Sequence, residues 1–119
     1  MITSQKVCKM AGLLEGEGWF GVRRGGPAIK FCSTDYDVVA WVAAQFGNKV
    51  MGPYRSNVFP NAKPIYVANT SGHRAAGWMM TVYSEMGARR KTKIREVLRV
   101  WKAHPITPSY TRAIKERTA

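Results

Sequence analysis

Apolar residues recur at helical spacing from Ser4 to Leu14, where Val7, Met10, Ala11 and Leu14 share one side of a helix behind a capping Ser4. The period changes at Glu17. From there to Arg24, Phe20 and Val22 alternate with Trp19, Gly21 and Arg23, and after a break at Gly25-Gly26-Pro27 the segment Ala28 to Ser33 alternates again. The pattern predicts a β-hairpin with Phe20, Val22, Ile29 and Phe31 toward a core and Trp19, Arg23, Lys30 and Cys32 on the other face. Helical spacing returns with Val38, Val39, Val42 and Phe46, opened by the cap residues Thr34 and Asp35 and stopped by Gly47. Between Lys49 and Val67, Pro53, Pro60 and Pro64 punctuate short apolar runs, which predicts two strands joined by a long loop. Ser71 caps a third helix through Met86. Beyond Gly87 a fourth, Arg89 to His104, aligns Ile94, Val97, Leu98 and Trp101 in one stripe until Pro105 and Pro108 end it.

The predicted order is α-β-β-α-β-β-α-α, an α+β domain over residues 1–104 followed by a polar tail, 105–119. With 119 residues, 45% of them hydrophobic, the chain holds enough apolar side chain for one core and too little length for two domains. Two antiparallel hairpins with helices on one side bury one sheet face and leave the other free for a ligand. Trp41, Trp78 and Trp101 fall on helices and read as core or helix packing.

Charge changes the picture. Nineteen Lys and Arg against seven Asp and Glu leave a formal +12, which a compact domain tolerates best beside a polyanion, so nucleic acid is the expected partner. From Val38 to Ser84 there is no acid at all, while Lys49, Arg55, Lys63 and Arg74 are present. A second basic cluster opens the last helix at Arg89, Arg90, Lys91 and Lys93, close enough to the sheet to reach phosphates. Further along, Arg95, Arg99 and Lys102 read as a solvated face.

Other chemistries find no support in the residue pattern. No run approaches the roughly 20 apolar residues of a membrane span, and Met1 to Lys9 lack a signal-peptide apolar segment, so no membrane partner and an intracellular location are expected. Cys8 and Cys32 are too far apart for a zinc knuckle, and His73 and His104 add no close partner. Gly16, Gly18 and Gly21 satisfy the spacing of a dinucleotide loop, but they follow a helix and open a strand, with Glu17 where a pyrophosphate would sit.

The acids Glu15 and Glu17 lie between glycines at a helix end, where the macrodipole disfavours carboxylates. Two readings follow: solvated loop acids, or oxygen ligands of a hard divalent cation. Gly12 and Gly16, spaced by four with Ala11 beside them, leave a groove along the first helix that suits close packing against a second copy.

The run Met10-Ala11-Gly12-Leu13-Leu14-Glu15-Gly16-Glu17-Gly18, followed by Trp19-Phe20, resembles the signature helix of the LAGLIDADG homing endonucleases. Met stands for the first Leu, Glu for both Asp and Gly for the second Ala. The element order extends the resemblance over most of residues 4–104. It implies an αββαββα fold whose four-stranded antiparallel sheet forms a saddle over the DNA major groove. A single motif implies a C2 homodimer cutting a near-palindromic double-stranded site, in a mobile-intron setting. The motif's second acid makes Glu17 the implied Mg²⁺ ligand, with the Gly16 carbonyl beside it; Mn²⁺ is an implied substitute and Ca²⁺ an ion that supports binding without cleavage.

The resemblance further implies that Arg90 or Lys91 assists the chemistry, and that Ser33 stands where many relatives carry a water-positioning Gln. Ala11, Gly12, Glu15 and Gly16 fall at the implied dimer interface, although Glu15 also suits a structural role, tying the helix end to neighbouring backbone. Sequence reading is expected from Trp19, Arg23, Lys30, Cys32, Arg55, Lys63 and Tyr66, with Arg89 and Lys93 on phosphates. The alternative under the same resemblance is a DNA-binding protein without cleavage, or an RNA maturase that helps an intron fold.

Overall fold

A computed structural model describes residues 2–103. Helix α1 spans Ser4–Glu17, α2 Tyr36–Phe46, α3 Gly72–Val82 and α4 Ala88–Ala103; the strands are β1 Gly18–Arg23, β2 Gly26–Ser33, β3 Met51–Tyr54 and β4 Ile65–Ser71. The four strands form one antiparallel sheet in the order β1-β2-β4-β3, so the two hairpins meet at β2 and β4. The protein is an α+β domain of four helices and this sheet among the described residues. Helices α1 to α4 all pack on the sheet or on one another along its covered side.

Several expected boundaries shift for local reasons. The cap of α1 is Thr3, whose Oγ1 accepts the Lys6 N–H at 3.2 Å, and the helix runs past Leu14 to Glu17. Arg24 and Gly25 both adopt left-handed φ (53° and 80°), so they form a two-residue turn of the kind that suits tight hairpins, and Gly26 and Pro27 join β2. The third helix ends at Val82; a 3₁₀ turn, Tyr83–Glu85, takes the chain to Met86. Asp35 sits at the cap of α2 without a side-chain bond, and its own N–H donates to Ser33 Oγ at 3.1 Å. His104 and the tail lie outside the described residues.

The core lies between the sheet and the helices. Phe20, Ile29, Phe31 and Ala68 supply the strand side, and Met10, Leu14, Val39, Phe46, Met79 and Ile94 the helix side, all within 1% of full burial. Each of the larger side chains contributes roughly 1.5–3 kcal/mol by leaving water. Val22, expected here, is 43% exposed on the edge strand β1, while its partner Pro27 on the inner strand β2 is fully buried. Trp78 is buried, while Trp41 and Trp101 are half-buried, Trp41 beneath Lys9 Nζ at 4.3 Å.

Strand register sorts the two sheet faces. Trp19 pairs with Lys30 and Lys30 with Asn69, while Cys32 pairs with Val67 and Val67 with Met51, and cross-strand partners share a face. These residues form the open face. Ala28 and Val67 are buried yet stand outside the core cluster, which shows that the open face shelters small apolar positions of its own.

Candidate functional site

The site is built where α1 hands the chain to β1. Glu17 is the last residue of the helix and Gly18 the first of the strand, with no residue between them. A Cβ on Gly18 would meet the Leu14 carbonyl oxygen at 2.6 Å and its Cα at 2.8 Å, so only glycine allows the strand to leave so close to the helix. The Gly18 N–H donates to that same Leu14 carbonyl and ends the helix. Glu17 is exposed, and among the described residues its carboxylate makes no hydrogen bond or ion pair.

Glu17, Trp19, Arg23, Lys30 and Cys32 together line a cleft of about 320 Å³ on the open face of the sheet. All five were expected to serve the site, and strand parity explains why four of them share the face. Trp19 is 45% exposed and lies flat over Gly21, whose missing Cβ is the space the indole occupies. One carboxylate and two cations therefore share the lining of the cleft. Asn69, beside Lys30 on β4, belongs to this face and escaped the sequence reading; its amide donates to Met51 Sδ at 3.3 Å, and Asn48 holds its carbonyl at 2.6 Å. Its alternation with Ala68 and Thr70 was the available signal.

Arg90 is not free to meet a phosphate. Its guanidinium donates to the carbonyl of Gly18 and, at 3.2 Å, to that of Glu15, while its face lies 5.8 Å from the centre of the Phe20 ring. Its side chain is 15% exposed. The Glu15 carboxylate joins the same knot, accepting the Gly87 N–H at 3.2 Å and standing 3.9 Å from Arg90 Nε, a separation at which Nε has no hydrogen-bond partner. Glu15 thus ties the end of α1 to the start of α4 within its own chain.

Other expected positions divide. Lys91 Nζ lies 5.6 Å from the Tyr83 ring centre, half-buried on the helix side. Ser33 shares the covered face with Phe31, and its Oγ is the acceptor for Asp35 N–H, so it does not line the cleft. Tyr66 pairs with Ser33 and also points to the covered side, where it packs on the core and stands edge-on to Tyr36 at 5.1 Å; it is not a base reader on the open face. Ala11 is 4% exposed in its own core and cannot face a partner, whereas a Cβ at Gly12 or Gly16 would meet no neighbouring element within 4 Å. Arg55 and Lys63 are exposed on the β3–β4 loop, and Arg89 and Lys93 on α4; none of the four lines the cleft.

Among the described residues no group of three or more His, Cys, Asp or Glu could hold a metal, and no helix is long and apolar enough to cross a membrane. The class that the geometry defines is an α+β domain with a free, basic sheet face and one carboxylate at its rim. No protein-family model, curated protein or solved structure matches the chain.

Proposed function

We propose that this chain is a site-specific, divalent-metal-dependent endonuclease of the LAGLIDADG homing endonuclease type, cutting double-stranded DNA as a homodimer. The observation that carries the reading is Glu17: an unpaired carboxylate at the end of the motif helix, on the rim of a cleft whose other charged groups, Arg23 and Lys30, are cations. A carboxylate so placed repels a phosphate unless a cation stands between them.

The donors present fit a hard ion. Mg²⁺ is commonly held by one or two carboxylates plus substrate phosphates, so Glu17, the Gly16 carbonyl and the DNA make a sufficient set without a closed protein cage. Bound there, such an ion supplies Lewis-acid stabilisation and a water of lowered pKa. Glu17 presents the charge, Gly18 and Arg90 fix where it stands, and Arg23 and Lys30 hold the phosphate backbone. The open stripe at Gly12 and Gly16 suits close approach of a second α1, which brings two Glu17 side chains to the two strands.

A second reading has an observation in its favour. Arg90 and Ser33, the implied helpers of the chemistry, are both committed to their own chain's backbone, as suits a binding protein, DNA-directed or RNA-directed, that does not cut. The two readings separate in one experiment: incubation of the full chain and its Glu17→Gln variant with Mg²⁺ and DNA carrying the chain's own coding locus. Cutting by the first, with loss of cutting but retained duplex binding in Ca²⁺ by the second, is the expected outcome. Duplex binding unaffected by divalent ions, with no cutting of any DNA selected for binding, removes the nuclease reading.

A further inference from the structure

The loop between β3 and β4 carries a bare apolar corner. Val58 is 76% exposed and Phe59 68%, the highest values for large hydrophobic side chains among the described residues. The corner is nevertheless well held. Ser56 Oγ accepts the N–H groups of both Val58, at 3.2 Å, and Phe59, at 3.0 Å, and the Phe59 carbonyl accepts the Ala62 N–H at 2.9 Å. An ordered turn that keeps two apolar side chains in water forfeits their burial, so a surface that covers them is the natural complement.

Charge identifies that surface. Tyr54 pairs with Ile65, which sets Arg55 and Lys63 at the neck of the loop, and the chain has no acid from Val38 to Ser84. An apolar tip between cations complements a polyanion with an apolar interior, which is what stacked base pairs between phosphate backbones provide. Register also fixes where the loop stands: Ser33 pairs with Tyr66 and Ala28 with Ser71, so the loop leaves the sheet at the end opposite the Arg24-Gly25 turn. It can therefore touch DNA beyond the stretch covered by the strands.

We propose that Val58 and Phe59 form a wedge that inserts between adjacent base pairs of duplex DNA and kinks it, with Arg55 and Lys63 on the flanking phosphates. The inference rests on the duplex-binding reading above and adds to it a site of deformation, through which sequences that unstack cheaply are preferred at positions no side chain reads.

The test uses the full chain, in Ca²⁺, and a duplex that the wild-type chain selects from a randomised library, labelled at its two ends for energy transfer. Wild type shortens the end-to-end distance on binding. Phe59→Ala abolishes the shortening and weakens binding by about tenfold, the order of magnitude for losing one aromatic–base stack, while Phe59→Trp retains both. Thermal unfolding is the same for all three. Equal bending and equal affinity for Phe59→Ala overturn the wedge and leave the nuclease reading standing. Failure of the wild type to retain any duplex overturns both. Loss of binding to anionic lipid vesicles in Phe59→Ala, without change on DNA, assigns the corner to a membrane surface and overturns the proposal.

Discussion

The guanidinium of Arg90 donates to the carbonyl of Gly18, 72 positions earlier in the chain and next to Glu17. The same group reaches the Glu15 carbonyl, so one side chain from α4 holds the backbone two residues before Glu17 and one residue after it. The last carbonyls of a helix lack partners within it, and a planar cation with several fixed donors is well suited to satisfy them. Arg90 thus holds the backbone that carries Glu17.

Removing it has a definite expected result. Arg90→Met keeps the packing on Phe20 but leaves the Gly18 and Glu15 carbonyls without their charged donor, which costs about 1.5–3 kcal/mol. Arg90→Lys restores only part of this, since an ammonium cannot bridge both acceptors with a fixed fork. Urea unfolding of the three proteins measures the order wild type, Lys, Met. The reverse order, or no difference, means the two backbone bonds are not formed. Glu15→Gln, by contrast, changes stability by less than roughly 1 kcal/mol, because its ion pair is long and half-exposed.

Gly18 supplies the other half of the positioning. A methyl group there collides with the Leu14 backbone, not with a movable side-chain tip, so Gly18→Ala forces helix and strand apart and costs about 1–3 kcal/mol. Gly21→Ala displaces only the Trp19 indole, which can swing off the strand. The expected contrast is a lowered unfolding midpoint for the first, and a changed tryptophan emission with a nearly unchanged midpoint for the second.

How much of this was legible beforehand follows from which residues act through period and which through contact. Alternation alone put Trp19, Arg23, Lys30 and Cys32 on one face, because a strand's side chains must alternate, and the cleft is lined by those four with Glu17. The same rule failed for Tyr66 only because the start of β4 is set by its pairing with β2, a long-range register invisible in a Pro-rich segment. The backbone bonds of Arg90 and Ser33 were illegible for a different reason: both carry donors or acceptors that fit many roles, and nothing local tells that a backbone carbonyl or amide will take them. Ala11 beside Gly12 looked like one small-residue stripe, but adjacent helical positions are 100° apart and one of them had to face the core.

The proposed dimer has a test that spares the fold. A Cβ placed on Gly12 meets no neighbouring element within 4 Å, so Gly12→Leu is expected to leave the unfolding free energy at or somewhat above that of wild type, a mid-helix glycine being roughly 0.5–1 kcal/mol less favourable than a good helix former. If a second α1 packs there, the added isobutyl group holds the helices apart. Sedimentation is expected to give a dimer for wild type and a monomer for Gly12→Leu; a wild-type monomer contradicts the paired active sites.

The two sheet faces make opposite predictions for binding. Lys30 and Arg23 floor the cleft on the open face, and each phosphate contact contributes roughly −0.9 to the slope of log affinity against log salt on duplex DNA. Lys30→Ala and Arg23→Ala are therefore expected to weaken binding and to flatten that slope by about one each where the side chain meets a phosphate. A side chain that reads a base edge instead leaves the slope unchanged and relaxes sequence preference at one position. Tyr66→Phe tests the covered face. Its hydroxyl makes no contact with the cleft, and the ring remains to pack on the core and against Tyr36, so affinity, salt slope and sequence preference should all stay at their wild-type values. A Tyr66→Phe variant with relaxed base preference would mean that β4 presents its other side to the DNA, and the assignment of Asn69 to that surface would fall with it.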